Sequence, residues 1–412
     1  MLKKDKMFSL ANRLRSIQPS PTLALNARAA ALKAEGVNII NLAAGEPDFE
    51  TPEWIQEAAV QAMRQGLTKY TAVDGLSSLK KAIQRKFLRD NQLAYELQEI
   101  TVANGGKQIL FNAMMATLNP GDEVIIPSPY WVSYPDIVRM FEGVDRMVPC
   151  GEESHFKLTP ALLEKALTSH TKWLILNSPS NPTGAVYTVQ ELKDLAEVLR
   201  QHPDVWILSD DIYEHLVYDQ ASFTNIIQVD ASLKSRTLIL NGVSKSYSMT
   251  GWRIGYGAGP ERLIKAMNLI QSQSTSNACS IAQGAAIEAL NGPQGFLKEW
   301  QKVFAERRDI TLKALNRIEG LHGIRPGGAF YLYINCGGVL GRKTPSGQIL
   351  ETDNQFCQYL LESARVTVVS GDAFGLSPYF RLSYATSLPL LEEACCRIGQ
   401  AVSQLESGDH GV

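Results

Sequence analysis

Cysteine is scarce and unpaired in this 412-residue sequence: Cys150, Cys279, Cys336, Cys357, Cys395 and Cys396 are scattered, with no CxxC spacing. That excludes a disulfide scaffold or a cysteine-clamped zinc and fits reduced thiols. Histidine is equally sparse, six residues with no HExxH, so no zinc-hydrolase motif is present. Long apolar runs are missing. No stretch reaches the roughly 20 residues of a membrane span, and the start, MLKKDKMFSLANRLRSIQPSPTLALNARAAALK, lacks the continuous apolar segment of a secretory signal. An excess of either charge is also missing: 40 basic against 42 acidic residues leave a formal charge of −2, with no basic stripe. Nucleic acid is therefore not the expected partner, and the expected location is the cytoplasm.

A large core is affordable, since 45% of the chain is hydrophobic. At roughly 100–200 residues per domain the length predicts two or three domains. From residue 51 helical and strand patterns alternate. TPEWIQEAAVQAMRQG reads as a helix with Thr51 as its cap, Pro52 at the first position and Gly66 past its end. GLSSLKKAIQRKFLRD is a second amphipathic helix, and EVIIPSP, KWLILNSP, VWILSDD and RTLILNGVS are short apolar strands. Apolar strands separated by helices predict an α/β domain with a mostly parallel sheet covered on both faces. After Gly292 the pattern changes to a long helix, then AFYLYINC, ARVTVVSG, YFRLSYAT and a final helix, which predicts a smaller α+β domain. The expected division is a large domain over 49–292 and a small one over 293–412, joined by the N-terminal segment 1–48.

In open α/β sheets ligands bind beyond the carboxyl ends of the strands. Four strands here end in polar clusters: NSPSNPTG, SDDIYEHL, NGVSK and PSPYWVSYP. A fifth, ANGGKQIL, reads as a turn entering a helix, where Gly105 and Gly106 expose bare N–H groups able to hold phosphate. The run GYGAG, Gly255 to Gly259, has the wrong spacing and position for a dinucleotide fingerprint, which leaves a nicotinamide dehydrogenase as the runner-up from another class. Lys245 carries more information. A lysine at a buried strand end loses hydration, which lowers its pKa and supplies the neutral amine that forms Schiff bases. That chemistry points to pyridoxal phosphate, which needs a carboxylate for its ring nitrogen, donors for its ring oxygen, an aromatic face and a phosphate cup. Asp210, Tyr213 with Asn181, Trp131, and Gly105 and Gly106 with Ser244 and Arg253 supply each of these.

Together GEPDF, GGKQ, PSPYWVSYP, SPSNPTG, SDDIYEHL, SKSYSMTGWRIG and FRLSYAT, in order along nearly the whole chain, resemble the fold-type I, class I pyridoxal-phosphate aminotransferases, in the prokaryotic-type (Ib) aspartate branch. The resemblance implies a seven-stranded sheet and the following roles. Lys245 would bond the cofactor's aldehyde and carry the proton. Asp210 would keep the ring nitrogen protonated, while Asp211 beside it would sit on the surface or behind the site. Tyr213 and Asn181 would bond the ring oxygen, and Trp131 would stack on the ring. The Gly105–Lys107 amides, Ser244 and Arg253 would hold the phosphate. Tyr70 would reach the phosphate of a partner subunit, making the enzyme a homodimer. Arg381 and the Gly45 N–H would take the substrate α-carboxylate.

In this branch Lys107 would read the distal carboxylate, which suggests aspartate with 2-oxoglutarate as substrates. Ser20 and Thr22 would border the pocket. Relatives that also use prephenate often carry a lysine where this chain has Gln18, which lowers that expectation. The alternatives on the same fold are a prephenate or aromatic aminotransferase, a lyase and a non-catalytic regulator. No metal is expected.

Overall fold

A computed structural model of the chain describes residues 10–17, 21–219 and 221–406, leaving out the side chains of residues 21–23 and 26. Gln18 and Ser20 therefore lie outside the described residues, as does the side chain of Thr22. After a helix over Pro21–Ala34 comes a short strand, β1 (Ile40–Asn41). The next seven strands are β2 (Ile100–Ala103), β3 (Glu123–Ser128), β4 (Val144–Pro149), β5 (Thr171–Asn177), β6 (Trp206–Asp210), β7 (Thr237–Gly242) and β8 (Gly255–Ala258). They form one sheet in the order β2-β8-β7-β6-β5-β3-β4, in which only β8 runs against its neighbours.

The apolar runs are continuous because helices cover both faces of this sheet. Successive residues of one strand point to opposite faces. Leu174 and Leu176 pack with Ile55, Ala59, Leu79, Ile83, Leu192 and Ala285. Trp173 and Ile175 pack on the other side with Ile109, Leu110, Val138, Leu263 and Met267.

The remainder begins with a long helix over Gly295–Leu315 and continues through β9 (His322–Gly323), β10 (Tyr331–Asn335), β11 (Val366–Thr367), β12 (Val369–Ser370) and β13 (Tyr379–Ser383) to a helix over Leu388–Ser403. The sheet β12-β13-β10-β9 is antiparallel, and β1 pairs in parallel with β11. Ile40 and Leu42 share a core with Phe304, Leu332, Phe380 and Ile398.

Two local expectations change. The helix over Glu53–Arg64 has Pro52 at its cap position, and Thr51 does not cap it. The Thr51 hydroxyl instead donates to the Ser248 carbonyl at 2.6 Å and accepts from Trp252 Nε1 at 3.1 Å, tying this segment to the loop that follows Lys245. ARVTVVSG is two short strands, with Val366–Thr367 turned to β1 and Val369–Ser370 to β13.

Candidate active site

The carboxyl ends of β5, β6 and β7 open into a cleft of about 440 Å3 whose lining includes Gly45, Gly106, Lys107, Trp131, Asn181, Asp210, Tyr213, Ser244, Lys245, Arg253 and Arg381. Residues spread over more than three hundred positions thus meet, because parallel strands deliver their polar ends to one edge of the sheet.

Lys245 sits at the floor. Its ammonium donates to the Gly45 carbonyl at 2.5 Å. Burial, reinforced by the Arg381 and Arg253 charges and opposed by those of Glu46 and Asp210, lowers its pKa to about 8. Asp210 ends β6, one strand away. Burial pushes its carboxyl up to about 6, while a hydrogen bond from the Tyr134 hydroxyl to Oδ2 at 2.6 Å pulls it back down. Asp211 points elsewhere. It is buried at 2% exposure, accepting from the Ser209 hydroxyl at 2.7 Å and the Asn225 amide at 2.5 Å, so it lies behind the site and not on the surface.

On the helix over Gly106–Thr117, Gly105 takes the capping position with φ of +84°, a left-handed conformation that suits glycine. A Cβ there would stand 2.2 Å from Arg253 Nη2, so the bare backbone and the guanidinium share one small space. Arg253 is aimed by its bonds to the carbonyls of Thr250 at 2.7 Å and Asn104 at 3.3 Å. Gly255 fills no nucleotide turn: a Cβ on it would lie 2.3 Å from the Gly105 carbonyl carbon, so it is a packing position under this cup. That disposes of the dinucleotide reading of GYGAG.

Arg381, 2% exposed on β13, donates Nη1 to Asn181 Oδ1 at 2.8 Å and Nη2 to the Ala43 carbonyl at 2.7 Å. Its Nε is buried without a partner. A buried donor left unmatched costs about 1–3 kcal/mol. Because guanidinium nitrogens only donate, Asn181 must turn its oxygen to Arg381, which leaves its amide nitrogen for a ligand. Lys107 approaches from the other wall. Its ammonium lies 5.1 Å from the centre of the Trp131 ring, and burial together with Arg253 lowers its pKa.

Tyr134, Glu46 and Tyr331 are among the cleft residues to which the sequence motifs assign no role. Tyr134, inside PSPYWVSYP, supports Asp210 and meets Trp131 edge-on at 5.4 Å. Glu46 accepts from the Thr250 hydroxyl at 2.7 Å, and Tyr331 lies against Tyr213. The i, i+3 spacing of Trp131 and Tyr134 was the available signal for the first. Glu46 lies inside GEPDF, whereas nothing local in the sequence marks Tyr331. Tyr70 is 91% exposed and is not among the residues lining its own chain's cleft.

The family model for aminotransferases of class I and II matches residues 37–398. The chain belongs to that family. Members of this family work with pyridoxal phosphate. The aspartate aminotransferase of Rhizobium meliloti is 57% identical over 98% of both chains. A probable aspartate/prephenate aminotransferase of Rickettsia bellii is 55% identical over 97% of this chain and 100% of its own. The crystal structure of the Rhizobium meliloti aspartate aminotransferase covers 97% of this chain with a TM-score of 0.94. That of the Thermus thermophilus aspartate aminotransferase with maleate is 42% identical, covers 96% and scores 0.90. The glycine-and-arginine cup, the buried carboxylate and the lysine of lowered pKa fit pyridoxal phosphate, and the Arg381 guanidinium lining the same cleft fits a substrate carboxylate.

Proposed function

We propose that the protein is an aspartate aminotransferase, moving the amino group of L-aspartate to 2-oxoglutarate to give oxaloacetate and L-glutamate, and acting as a homodimer in the cytoplasm. One observation carries the substrate class: two cations, Arg381 and Lys107, line the same cleft as Lys245, so both ends of a dicarboxylate meet a positive charge. The aspartate aminotransferases among the relatives support it.

Bound pyridoxal phosphate supplies an aldehyde for the amine and a ring that accepts the electrons released at the substrate Cα. The chain does the rest. The Gly105–Lys107 amides, Ser244 and Arg253 would hold the cofactor's phosphate, Trp131 would stack on its ring, and Tyr213 and Asn181 would donate to its ring oxygen. Asp210 would keep a proton on its ring nitrogen. Arg381 and the Gly45 N–H fix the α-carboxylate, and Lys107 the distal one. Lys245 Nζ, with its pKa near 8, takes the proton from Cα. Tyr70, exposed on its own subunit, would reach the phosphate bound by a partner subunit. Residues 1–48 and 293–412 form the smaller domain over the 49–292 domain, a division that the shared core of Ile40, Leu42 and Phe380 supports. Six free cysteines fit a reducing compartment.

An assay of oxaloacetate formed from aspartate and 2-oxoglutarate tests the activity; no product would refute it. Lys107→Ala tests specificity. Losing one charge-assisted bond of about 1.5–3 kcal/mol should lower kcat/KM for aspartate about ten- to a hundredfold. Apolar amino acids should lose little, and equal losses would remove Lys107 from specificity. Because prephenate is also a dicarboxylic keto acid, and the Rickettsia relative carries that name, the same assay with prephenate as acceptor decides the second reading.

A further inference from the structure

The Tyr213 and Tyr331 hydroxyls lie 2.8 Å apart, and both residues are buried, at 3% and 1% exposure. Tyr213 follows β6 of the large sheet and Tyr331 opens β10 of the antiparallel one, so this bond crosses between the two sheets. Tyr331 also carries Arg381 on its ring, with the guanidinium carbon 4.6 Å from the ring centre. The register explains why. Tyr331 opposes Ser383 and Arg381 opposes Tyr333, which makes Tyr331 and Arg381 diagonal neighbours on one face. The hydroxyl end occupies space that Gly45 leaves open, since a Cβ on Gly45 would lie 2.9 Å from it.

We propose that Tyr331 is a positioning residue that joins the carboxylate-binding Arg381 to Tyr213, the tyrosine that donates to the cofactor's ring oxygen. This rests on the aminotransferase reading above. A phenol has one hydrogen. When Tyr213 gives its hydrogen to the ring oxygen, its own oxygen is free to accept, and Tyr331 is the hydroxyl in range. A donor that also accepts a hydrogen bond is polarised into a stronger donor. The aromatic face meanwhile holds the guanidinium in the position that meets the α-carboxylate. Burial holds the Tyr331 phenol above its usual pKa, so it keeps the hydrogen it donates.

The test uses the protein loaded with pyridoxal phosphate, with the visible absorbance of the bound cofactor followed against pH. A donor to the ring oxygen competes with the proton shared there and favours the deprotonated form. Tyr331→Phe keeps the ring and deletes the hydroxyl, and it should raise the midpoint by a few tenths of a pH unit, the roughly 10–30% that one neighbouring bond adds to another. In a Tyr213→Phe background the same change should shift nothing, because the path through Tyr213 is gone. Succinate serves as a probe of Arg381: its dissociation constant should stay within about twofold in Tyr331→Phe and rise about tenfold in Tyr331→Leu, which has no aromatic face. An unchanged midpoint in Tyr331→Phe, or an equal shift in both backgrounds, would overturn the proposal. A wild-type chain that takes up no cofactor would instead overturn the reading beneath it.

Discussion

The Lys245→Ala variant should bind pyridoxal phosphate without the visible absorbance of the lysine-bound form and should lose turnover by about a thousandfold or more, since it removes the nucleophile and the proton carrier together. Absorbance spectra and a steady-state assay check both at once, and retained catalysis would sink the assignment of Lys245. A second consequence concerns stability. A lysine whose folded pKa is about 8 against an unfolded value near 10.4 destabilises the fold wherever both states are charged, which is below about pH 8, and the cost disappears as pH rises from 8 towards 10. Each pKa unit is worth about 1.4 kcal/mol, so the cost at neutral pH is about 3 kcal/mol. Lys245→Met, which keeps most of the volume, should therefore raise the melting temperature of the cofactor-free protein at pH 7, with the gain shrinking towards pH 10. A lower melting temperature at pH 7 would contradict the buried-charge account.

Asp210→Asn should lower kcat by two to three orders of magnitude while leaving the chain folded. Removing one partner of a buried charged pair costs about 3–5 kcal/mol, and about 1.4 kcal/mol is a factor of ten in rate. Asn keeps the shape, and its nitrogen or oxygen can still face Tyr134, but it offers no charge to hold a proton on the ring nitrogen. Asp210→Glu should recover part of the loss. Stopped-flow measurement of the aspartate half-reaction separates this from weaker binding: the rate at saturating aspartate should fall, with the apparent dissociation constant nearly unchanged. Equal rates in Asp210→Asn and wild type would remove the carboxylate from the chemistry.

Much of the cleft lining was legible in the sequence because the residue types sought lie at or just beyond strand ends. Lys245, Asp210, Asn181 and Trp131 could be placed before any coordinates, since an apolar run followed by a polar cluster marks both the strand and its mouth. Arg381 was legible for the opposite reason, a charge inside an apolar strand. What could not be read were contacts that depend on packing between distant segments. Tyr331 sits in an ordinary alternating strand, and only the register of β10 with β13 puts its ring beneath Arg381. Thr51 looked like a helix cap because local sequence favours that role, but Ser248 and Trp252, about two hundred residues away, claim its hydroxyl. Asp211 and Asp210 are adjacent in sequence, yet the strand's alternation turns one into the cleft and the other into a buried network with Ser209 and Asn225.

On the proposed function, Arg381 and Lys107 hold the two ends of a dicarboxylate beside Lys245. Mixing the cofactor-loaded protein with single amino acids and following the loss of its visible absorbance tests this most directly. L-Aspartate and L-glutamate should convert the cofactor, and L-alanine and L-leucine should do so at least about tenfold more slowly at equal concentration. No conversion by aspartate, or faster conversion by the apolar amino acids, would contradict the account.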